Sequence, residues 1–305
     1  MDERRPFTRA DAVRAGVSDR VLRTSRYRRI FRGVYIRAEV APSERERMEG
    51  ALALHPEGAW LSHRTAAAWC GVAVPESPLI HVSVLRAEDR RWQPGLKPHV
   101  APPATRTRVW RGLPVSEPVR LFVELASMLD LVDLVVAGDS MLRVFGITAA
   151  DLRAGLERTT DYWSPAARHA ATFVRDRVRS AMETRLRLLI VLAGLPEPEV
   201  NLEIRSADGD VLVEFDLAYR HHRLAVEYDG THHRVDTPTW RRDLRRSELV
   251  DALDWHVVHV TANDIYGTPA QTIDRIRAAA SRCGLRLPLP RPGWELHFPG
   301  RAQAG

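Results

Sequence analysis

Residues 214–234 read EFDLAYRHHRLAVEYDGTHHR, and this stretch predicts two β-strands joined by a short reversal. In its first part, apolar residues alternate with two acids and an alanine, the period of two that is typical of a strand with one buried face. The run LAVEYD at residues 224–229 alternates in the same way. The basic run RHHR between them, residues 220–223, therefore predicts the loop of a β-hairpin.

The position of the reversal decides which side chains face each other across the hairpin. A loop centred between residues 221 and 222 places Asp216 opposite Glu227 and Glu214 opposite Asp229. The same register pairs apolar residues on the other face, whereas a loop of odd length would break both sets of pairs. Directly opposed side chains have Cβ atoms roughly 5 Å apart, and like charges there destabilise a sheet. We therefore expect a positive charge to offset this repulsion.

A divalent metal ion is the cation that the acidic pairs suggest. Carboxylate oxygens are hard ligands that suit Mg²⁺ or Mn²⁺, and Asp216 and Glu227 are the expected ligands, with Asp229 as a third. Such an ion binds a phosphate, polarises it and lowers the pKa of a water molecule. This chemistry predicts a nuclease. The alternative is that the acids point into solvent from an exposed sheet face.

The acidic hairpin resembles a known nuclease family. A helix, a strand with an aspartate, a strand with E-x-D-G and a following H-H are similar to the very-short-patch-repair-like endonucleases of the PD-(D/E)XK superfamily. The resemblance covers about residues 165–285, and its most specific piece is AVEYDGTHH at 225–233. It implies a restriction-endonuclease-like αβββαβ core and Mg²⁺-dependent DNA hydrolysis. It also implies a helical site glutamate, here Glu183; the alternative is that Ser180 and Glu183 form a capping box.

This chain departs from the superfamily pattern at one position. The superfamily has a lysine two residues after the strand glutamate, and here that residue is Asp229. The identity of the general base is then not specified: His232 or His233 can orient water, or Asp229 can serve as a metal ligand. Asp243 and Arg246 match the family's D-x-x-R pattern, either supporting the site or contacting phosphate; the alternative is an ordinary surface salt bridge.

The net positive charge lies at the amino terminus. Residues 1–40 hold eleven arginines and five acids, and this balance of +6 equals the formal net charge of the whole chain. A helix at 8–15, a turn at 16–17 and a helix at 19–24 precede YRRIFRGVYI, residues 27–36, which predicts a two-stranded wing.

A helix-turn-helix with a wing places arginines where they meet a DNA backbone. The arginines expected to contact nucleic acid are Arg20, Arg23, Arg28, Arg29 and Arg32. The alternative is a solvated basic face on a small protein-binding module.

The amino-terminal half has a resemblance of its own. Residues 7–36 are similar to the winged-helix domain of AbiEi-type antitoxins, and LSHRTAAAWCGV (61–72) with GLPVSEPVRLFVELA (112–126) is similar to the region that follows it in regulator-like proteins. The resemblance implies DNA binding. Neither a toxin partner nor a homodimer is specified by the sequence.

The remaining patterns complete an α/β (α+β) prediction. Helices are expected over 44–69, 117–129 and 131–144, and as one long run from about 165 to 193, with a strand over 80–85. We expect a winged helix (1–40), an α/β middle region (41–160), a nuclease-like domain (161–290) and a tail (291–305). The middle region offers no catalytic group, since His63 at a helix end is more often structural.

Two global features narrow the class of protein. The longest apolar stretch, residues 188–195, is far shorter than the ~18 residues that span a bilayer, so we expect a cytoplasmic protein without a membrane partner. Cys70 and Cys283 show no metal-ligand spacing. The prediction is a Mg²⁺- or Mn²⁺-dependent nuclease acting on DNA; the alternative is a non-catalytic DNA-binding regulator or antitoxin with a degenerate nuclease domain.

Overall fold

The chain divides into two units with a mixed α/β architecture. The computed structural model describes residues 1–103, 105–230 and 246–300. The first unit contains Met1–Ala137 and Val144–His169, and the second contains Gly138–Arg143 and the chain from Ala170 onward. Three β-sheets lie in the described part of the chain.

The first unit begins with two short helices and a small sheet. The elements are β1 (Phe7–Thr8), α1 (Arg9–Arg14), α2 (Asp19–Leu22), β2 (Tyr27–Phe31) and β3 (Val34–Arg37). The strands pair in the order β1-β3-β2. The Thr8 hydroxyl accepts a hydrogen bond from the backbone N–H of Asp11 and so caps α1. The predicted succession of helix, turn, helix and hairpin is confirmed, although α2 is shorter than the predicted helix at 19–24.

The rest of the first unit surrounds a five-stranded sheet. Its elements are α3 (Glu44–Ala53), β4 (Trp60–Leu61), α4 (His63–Cys70), β5 (Ile80–Val84), β6 (Leu96–Val100), β7 (Thr107–Trp110), β8 (Leu113–Ser116), α5 (Pro118–Ala126), α6 (Leu131–Phe145), α7 (Ala149–Glu157) and α8 (Ser164–Ala171). Helices α6 and α8 are shared with the second unit, to which Gly138–Arg143 and residues 170–171 belong. The strand order is β6-β5-β4-β8-β7. The expected single helix over 44–69 is wrong, because the chain turns after Pro56, with Gly58 at φ +90°, and then forms β4.

The second unit is built on a four-stranded mixed sheet. Its elements are α9 (Ala181–Leu192), β9 (Glu199–Arg205), β10 (Val211–Tyr219), β11 (Leu224–Tyr228), α10 (described over 246–252), β12 (His256–Val260), α11 (Ala262–Tyr266) and α12 (Pro269–Arg282). The order is β12-β11-β10-β9, and only β11 and β12 are parallel. The predicted order of helix, three strands, helix and strand is confirmed for the described residues.

The long helix expected from about 165 to 193 is wrong. Helix α8 ends at Ala171, and α9 begins at Ala181 after Ser180, whose hydroxyl caps it. The intervening chain includes Arg177 at φ +70°, a left-handed conformation that a continuous helix does not contain. The capping serine with an acid three residues later therefore marks a helix start inside an otherwise helical pattern.

The hairpin register is the one that the sequence predicts. Leu217 pairs with Val226 and Tyr219 with Leu224, which leaves residues 220–223 as a four-residue loop. Arg223 closes this loop at φ +47°. On the apolar face, the Phe215 ring stacks on Trp255 with centroids 4.5 Å apart. Burial of that face fixes the register, since a slip of one residue exposes every apolar side chain.

The structure bears on two expectations from the sequence, the lack of a membrane-spanning helix and the state of the two cysteines. Within the described residues, no helix is long and apolar enough to cross a membrane. Cys70 and Cys283 are free thiols.

Candidate acidic site of the second unit

The site is centred on Asp216 in β10 and Glu227 in β11. The register of the hairpin brings them to neighbouring positions, and the backbone N–H of Tyr228 donates to Asp216 Oδ2 at 2.9 Å. Glu227 is only 9% exposed. Burial raises the pKa of Asp216 to about 7, and the negative charges of Glu183 and Glu227 add to this shift against the opposing backbone hydrogen bond.

Glu183 reaches the site from the first turn of α9. Its backbone N–H donates to Ser180 Oγ at 3.1 Å, which is one half of the expected capping box. Its carboxylate does not return to Ser180; Oε2 accepts from the backbone N–H of Arg179 at 2.9 Å and from Asn201 Nδ2 at 3.2 Å. Glu183 is therefore a buried carboxylate tied to the helix start, and its charge acts on Asp216.

Two arginines supply positive charge beside the acids. Arg246 forms an ion pair with Glu227 and donates to the backbone carbonyl of Glu214 at 3.0 Å. Its guanidinium also lies 5.7 Å from the Phe215 ring centroid. Arg179 Nη1 donates to Glu214 Oε2 at 2.6 Å. In the described residues, guanidinium groups pair with Glu227 and Glu214, whereas Asp216 keeps its raised pKa.

The remaining predicted site residues fall into two groups. Asp229 follows β11, where its backbone N–H donates to the Val260 carbonyl at 2.8 Å and extends the pairing with β12. His232, His233 and Asp243 lie outside the described residues.

A metal ion shared by all the acids requires side-chain movement. Among the described residues, no three carboxylates bring their oxygens within 4.8 Å of one another. The donor set of Asp216 and Glu227 fits a hard divalent cation, but Arg246 now holds Glu227. Binding a metal at this pair therefore requires the Arg246 guanidinium to move away.

The arginines of the first unit separate into paired and unpaired side chains. Arg9 forms an ion pair with Asp19, and Arg14 forms one with Asp11. Arg26 and Arg37 both form ion pairs with Glu3. In the described part of the chain, the arginines expected to contact nucleic acid have exposed guanidiniums without an ion-pair partner: Arg20, Arg23, Arg28, Arg29 and Arg32.

The turn between β2 and β3 is held in place by a side chain from farther along the first unit. Gln93 Oε1 accepts from the backbone N–H of Arg32 at 2.7 Å, and Gln93 Nε2 donates to the Arg32 carbonyl at 3.0 Å. The backbone of this turn is thereby fixed while the Arg32 side chain stays exposed.

Arg179 and Asn201 are site residues that the sequence did not indicate. Arg179 precedes the capping serine of α9, and Asn201 lies within β9 at φ +47°. An asparagine in a strand is unusual, because this residue is depleted from strands. That departure is the one signal that could have singled out Asn201.

Comparison with known proteins gives a partial likeness. No protein-family model matches the chain. Two curated relatives from Mycobacterium tuberculosis strains, CDC 1551 / Oshkosh and H37Rv, are each 32% identical over 111 residues. Both are described as uncharacterized proteins. The aligned segment covers 36% of this chain and 41% of each relative.

Proposed function

We propose that the chain is a cytoplasmic, metal-dependent nuclease that hydrolyses DNA phosphodiester bonds at the acidic site. The observation that carries the proposal is the environment of Asp216, where burial and the charges of Glu183 and Glu227 raise the pKa of its carboxyl to about 7. Such clustering of buried, like-charged groups is costly for the fold and is concentrated at functional sites.

Each residue has a distinct task in this proposal. Asp216 and Glu227 would hold Mg²⁺ or Mn²⁺, with Asp229 as a further ligand. When bound, the ion polarises the scissile phosphate and lowers the pKa of a water molecule. Glu183 adds negative charge from a fixed position at the start of α9 and is a third candidate for the catalytic set. His233 remains the candidate for orienting water.

Arg246 changes partners in this mechanism. It pairs with Glu227 in the structure, and it would be available to a phosphate oxygen if a metal ion held that carboxylate instead. Guanidinium groups bind phosphate through paired, charge-assisted hydrogen bonds. The side chain is 35% exposed, which leaves it access to a substrate.

The direct test compares cleavage by wild-type protein and Asp216→Asn. We expect Mg²⁺-dependent nicking of plasmid DNA by the wild type and a loss of at least about 100-fold in the variant, since one metal ligand is removed. Glu248→Gln, which changes an exposed carboxylate on α10, is the matched control and keeps wild-type activity. Equal cleavage by wild type and Asp216→Asn contradicts the proposal.

A second candidate function is a non-catalytic DNA-binding regulator or antitoxin of the AbiEi type. It is favoured by the pairing of Glu227 and Glu214 with arginines, because a scaffold needs no metal to offset its acids. The unpaired arginines of the first unit fit either candidate. A gel-shift assay with and without Mg²⁺ distinguishes them: binding without any cleavage supports the regulator.

A further inference from the structure

Three histidines converge in the first unit, away from the acidic site. His63 is the first residue of α4, His81 lies in β5 and His99 in β6. Each offers a ring nitrogen, and these three nitrogens all lie within 4.8 Å of one another. His81 Nδ1 and His99 Nε2 are 2.9 Å apart, and the rings of His63 and His99 stack with centroids 3.7 Å apart. We name this group the histidine cluster.

Three elements, α4, β5 and β6, position the residues of the histidine cluster. Strands β5 and β6 are parallel neighbours, so His81 and His99 are carried on adjacent hydrogen-bonded strands. His63 has φ +51°, a left-handed conformation that is unfavourable for a residue with a side chain. Its backbone N–H donates to Glu124 Oε2 at 3.0 Å. The surrounding structure thus keeps His63 in a strained backbone geometry that directs it into the cluster.

A polar shell surrounds His63. Its Nδ1 lies 2.9 Å from Ser62 Oγ and 3.9 Å from Glu124 Oε2. Glu124 is itself buried and accepts from Ser116 Oγ and Arg120 Nε. Metal-binding histidines typically have their second ring nitrogen oriented by a carboxylate or hydroxyl in this way. We assign Nε2 of His63 as its ligand atom.

A cavity of about 470 Å³ borders the histidine cluster on the side of His63 and His99. Ser83, which pairs with His99 in the β5–β6 register, also lines it and is 1% exposed. Its Oγ has no hydrogen-bond partner within the described residues. Buried hydroxyls normally have a partner, so this one indicates a polar ligand in the cavity.

Burial, more than the neighbouring charges, disfavours protonation of the three imidazoles. Burial lowers the pKa of His81 to about 3 and of His99 to about 4, and it lowers the pKa of His63 well below the usual range. The nearby charged groups are Glu124 on α5 and the basic residues Arg64, Lys97 and Arg120. Neutral imidazole is the ligand state in zinc sites.

We propose that the histidine cluster binds one divalent transition-metal ion of the zinc class, with a fourth coordination position open to the cavity. Imidazole nitrogen favours Zn²⁺, Co²⁺ or Ni²⁺ over the Mg²⁺ expected at carboxylates. A tetrahedral ion with bonds of about 2.0–2.1 Å requires nitrogens roughly 3.4 Å apart. The His81 and His99 nitrogens, 2.9 Å apart, must therefore separate slightly, and the stacked His63 ring must rotate toward them.

Cobalt is the probe for the test, because tetrahedral Co²⁺ absorbs visible light far more strongly than octahedral Co²⁺. The titration uses the full-length Asp216→Asn protein, which removes a ligand of the acidic site and makes the result independent of the proposed nuclease. We expect one equivalent of Co²⁺ with a tetrahedral spectrum, displaced by Zn²⁺. Failure of cleavage in the nuclease assay leaves this expectation unchanged.

Single ligand variants locate the ion. His81→Gln and His99→Gln are each expected to weaken Co²⁺ affinity at least 10-fold. His55→Gln is the control, because His55 is another buried histidine of this unit, with Nδ1 2.8 Å from the Ala51 carbonyl and no part in the cluster. Circular dichroism in EDTA checks folding, and His63→Gln replaces any variant that does not fold. Wild-type affinity in the cluster variants, or an octahedral spectrum only, overturns the proposal.

Discussion

Asp216 is the residue at which the fold and the proposed function conflict most directly. Its carboxyl is partly buried, feels the negative charges of Glu183 and Glu227, and accepts one backbone hydrogen bond. The folded protein therefore favours the protonated form, whereas the unfolded chain has an ordinary aspartate that titrates near pH 4. Ionising Asp216 in the folded state costs stability unless a cation is bound.

Asp216→Asn should stabilise the metal-free protein at high pH. Because the folded pKa is raised, the stabilising contribution of protonated Asp216 is complete below the unfolded pKa near 4 and is lost as pH rises through about 7. In EDTA, we expect the variant to be more stable by roughly 1–3 kcal/mol at about pH 8, and the difference to vanish near pH 4. Urea denaturation across this range measures it. A variant less stable than wild type at pH 8 contradicts the expectation, and Glu248→Gln should show no such trend.

Arg246 offers the complementary prediction. In Arg246→Met, Glu227 keeps its burial and loses its ion-pair partner, so the metal-free protein should lose roughly 1–3 kcal/mol. Mn²⁺ should then stabilise the variant more than the wild type, since the ion no longer competes with a guanidinium. Thermal unfolding with and without Mn²⁺ measures both effects.

The control for this experiment is another arginine of the second unit. Arg223 pairs with Asp254, and both side chains are largely exposed. Arg223→Met should therefore change stability by less than about 1 kcal/mol. An Arg246→Met protein that Mn²⁺ does not stabilise argues against a metal at Glu227.

At the scale of elements, the β10–β11 hairpin was predictable and several connections were not. Two alternating runs separated by an even loop admit one register that buries both apolar faces, and Leu217 does pair with Val226. The predicted helix boundaries are wrong where a short irregular segment interrupts an apolar pattern, as after Pro56 and before Ser180. Strands β6 and β7 were missed because proline and arginine mask their alternation.

Contacts between residues far apart in the sequence could not be predicted from local patterns. The histidine cluster joins residues 63, 81 and 99, which follow no motif spacing, and only the pairing of β5 with β6 brings the last two together. Arg246 was recognised as part of D-x-x-R, yet its partner in the described structure is Glu227 on a different element. Local patterns specify strands and caps, whereas the partners of charged groups depend on topology.

The β2–β3 hairpin carries a prediction about DNA affinity. Arg28 and Arg29 lie in β2 with exposed, unpaired side chains. Arg28→Ala/Arg29→Ala should weaken DNA binding and reduce the slope of log affinity against log salt by about one for each phosphate that is no longer neutralised. Fluorescence anisotropy at several salt concentrations measures the slope.

Arg9→Ala/Arg14→Ala is the matched control for that pair. It removes the same charge from the same segment, but both arginines are engaged with Asp19 and Asp11. The slope should change less than in the β2 variant. Equal reductions in the two double variants would show that only net charge matters.

At the scale of the whole molecule, the proposal assigns DNA affinity to the first unit and hydrolysis to the second. EDTA should then abolish cleavage while the salt-dependent DNA binding persists, and Asp216→Asn should behave in the same way in Mg²⁺. Parallel gel-shift and nicking assays on one preparation measure both activities. Loss of binding in EDTA would mean that the metal contributes to DNA affinity and would contradict this division.

The amide of Gln93 has a consequence for any shortened form of the amino-terminal segment. The side-chain amide forms hydrogen bonds with both the N–H and the carbonyl of Arg32, as a paired residue of a neighbouring strand would. A peptide ending at residue 40 lacks these two hydrogen bonds and the Arg5–Glu49 ion pair. A peptide of residues 1–40 should therefore be less stable than the same segment within the full chain.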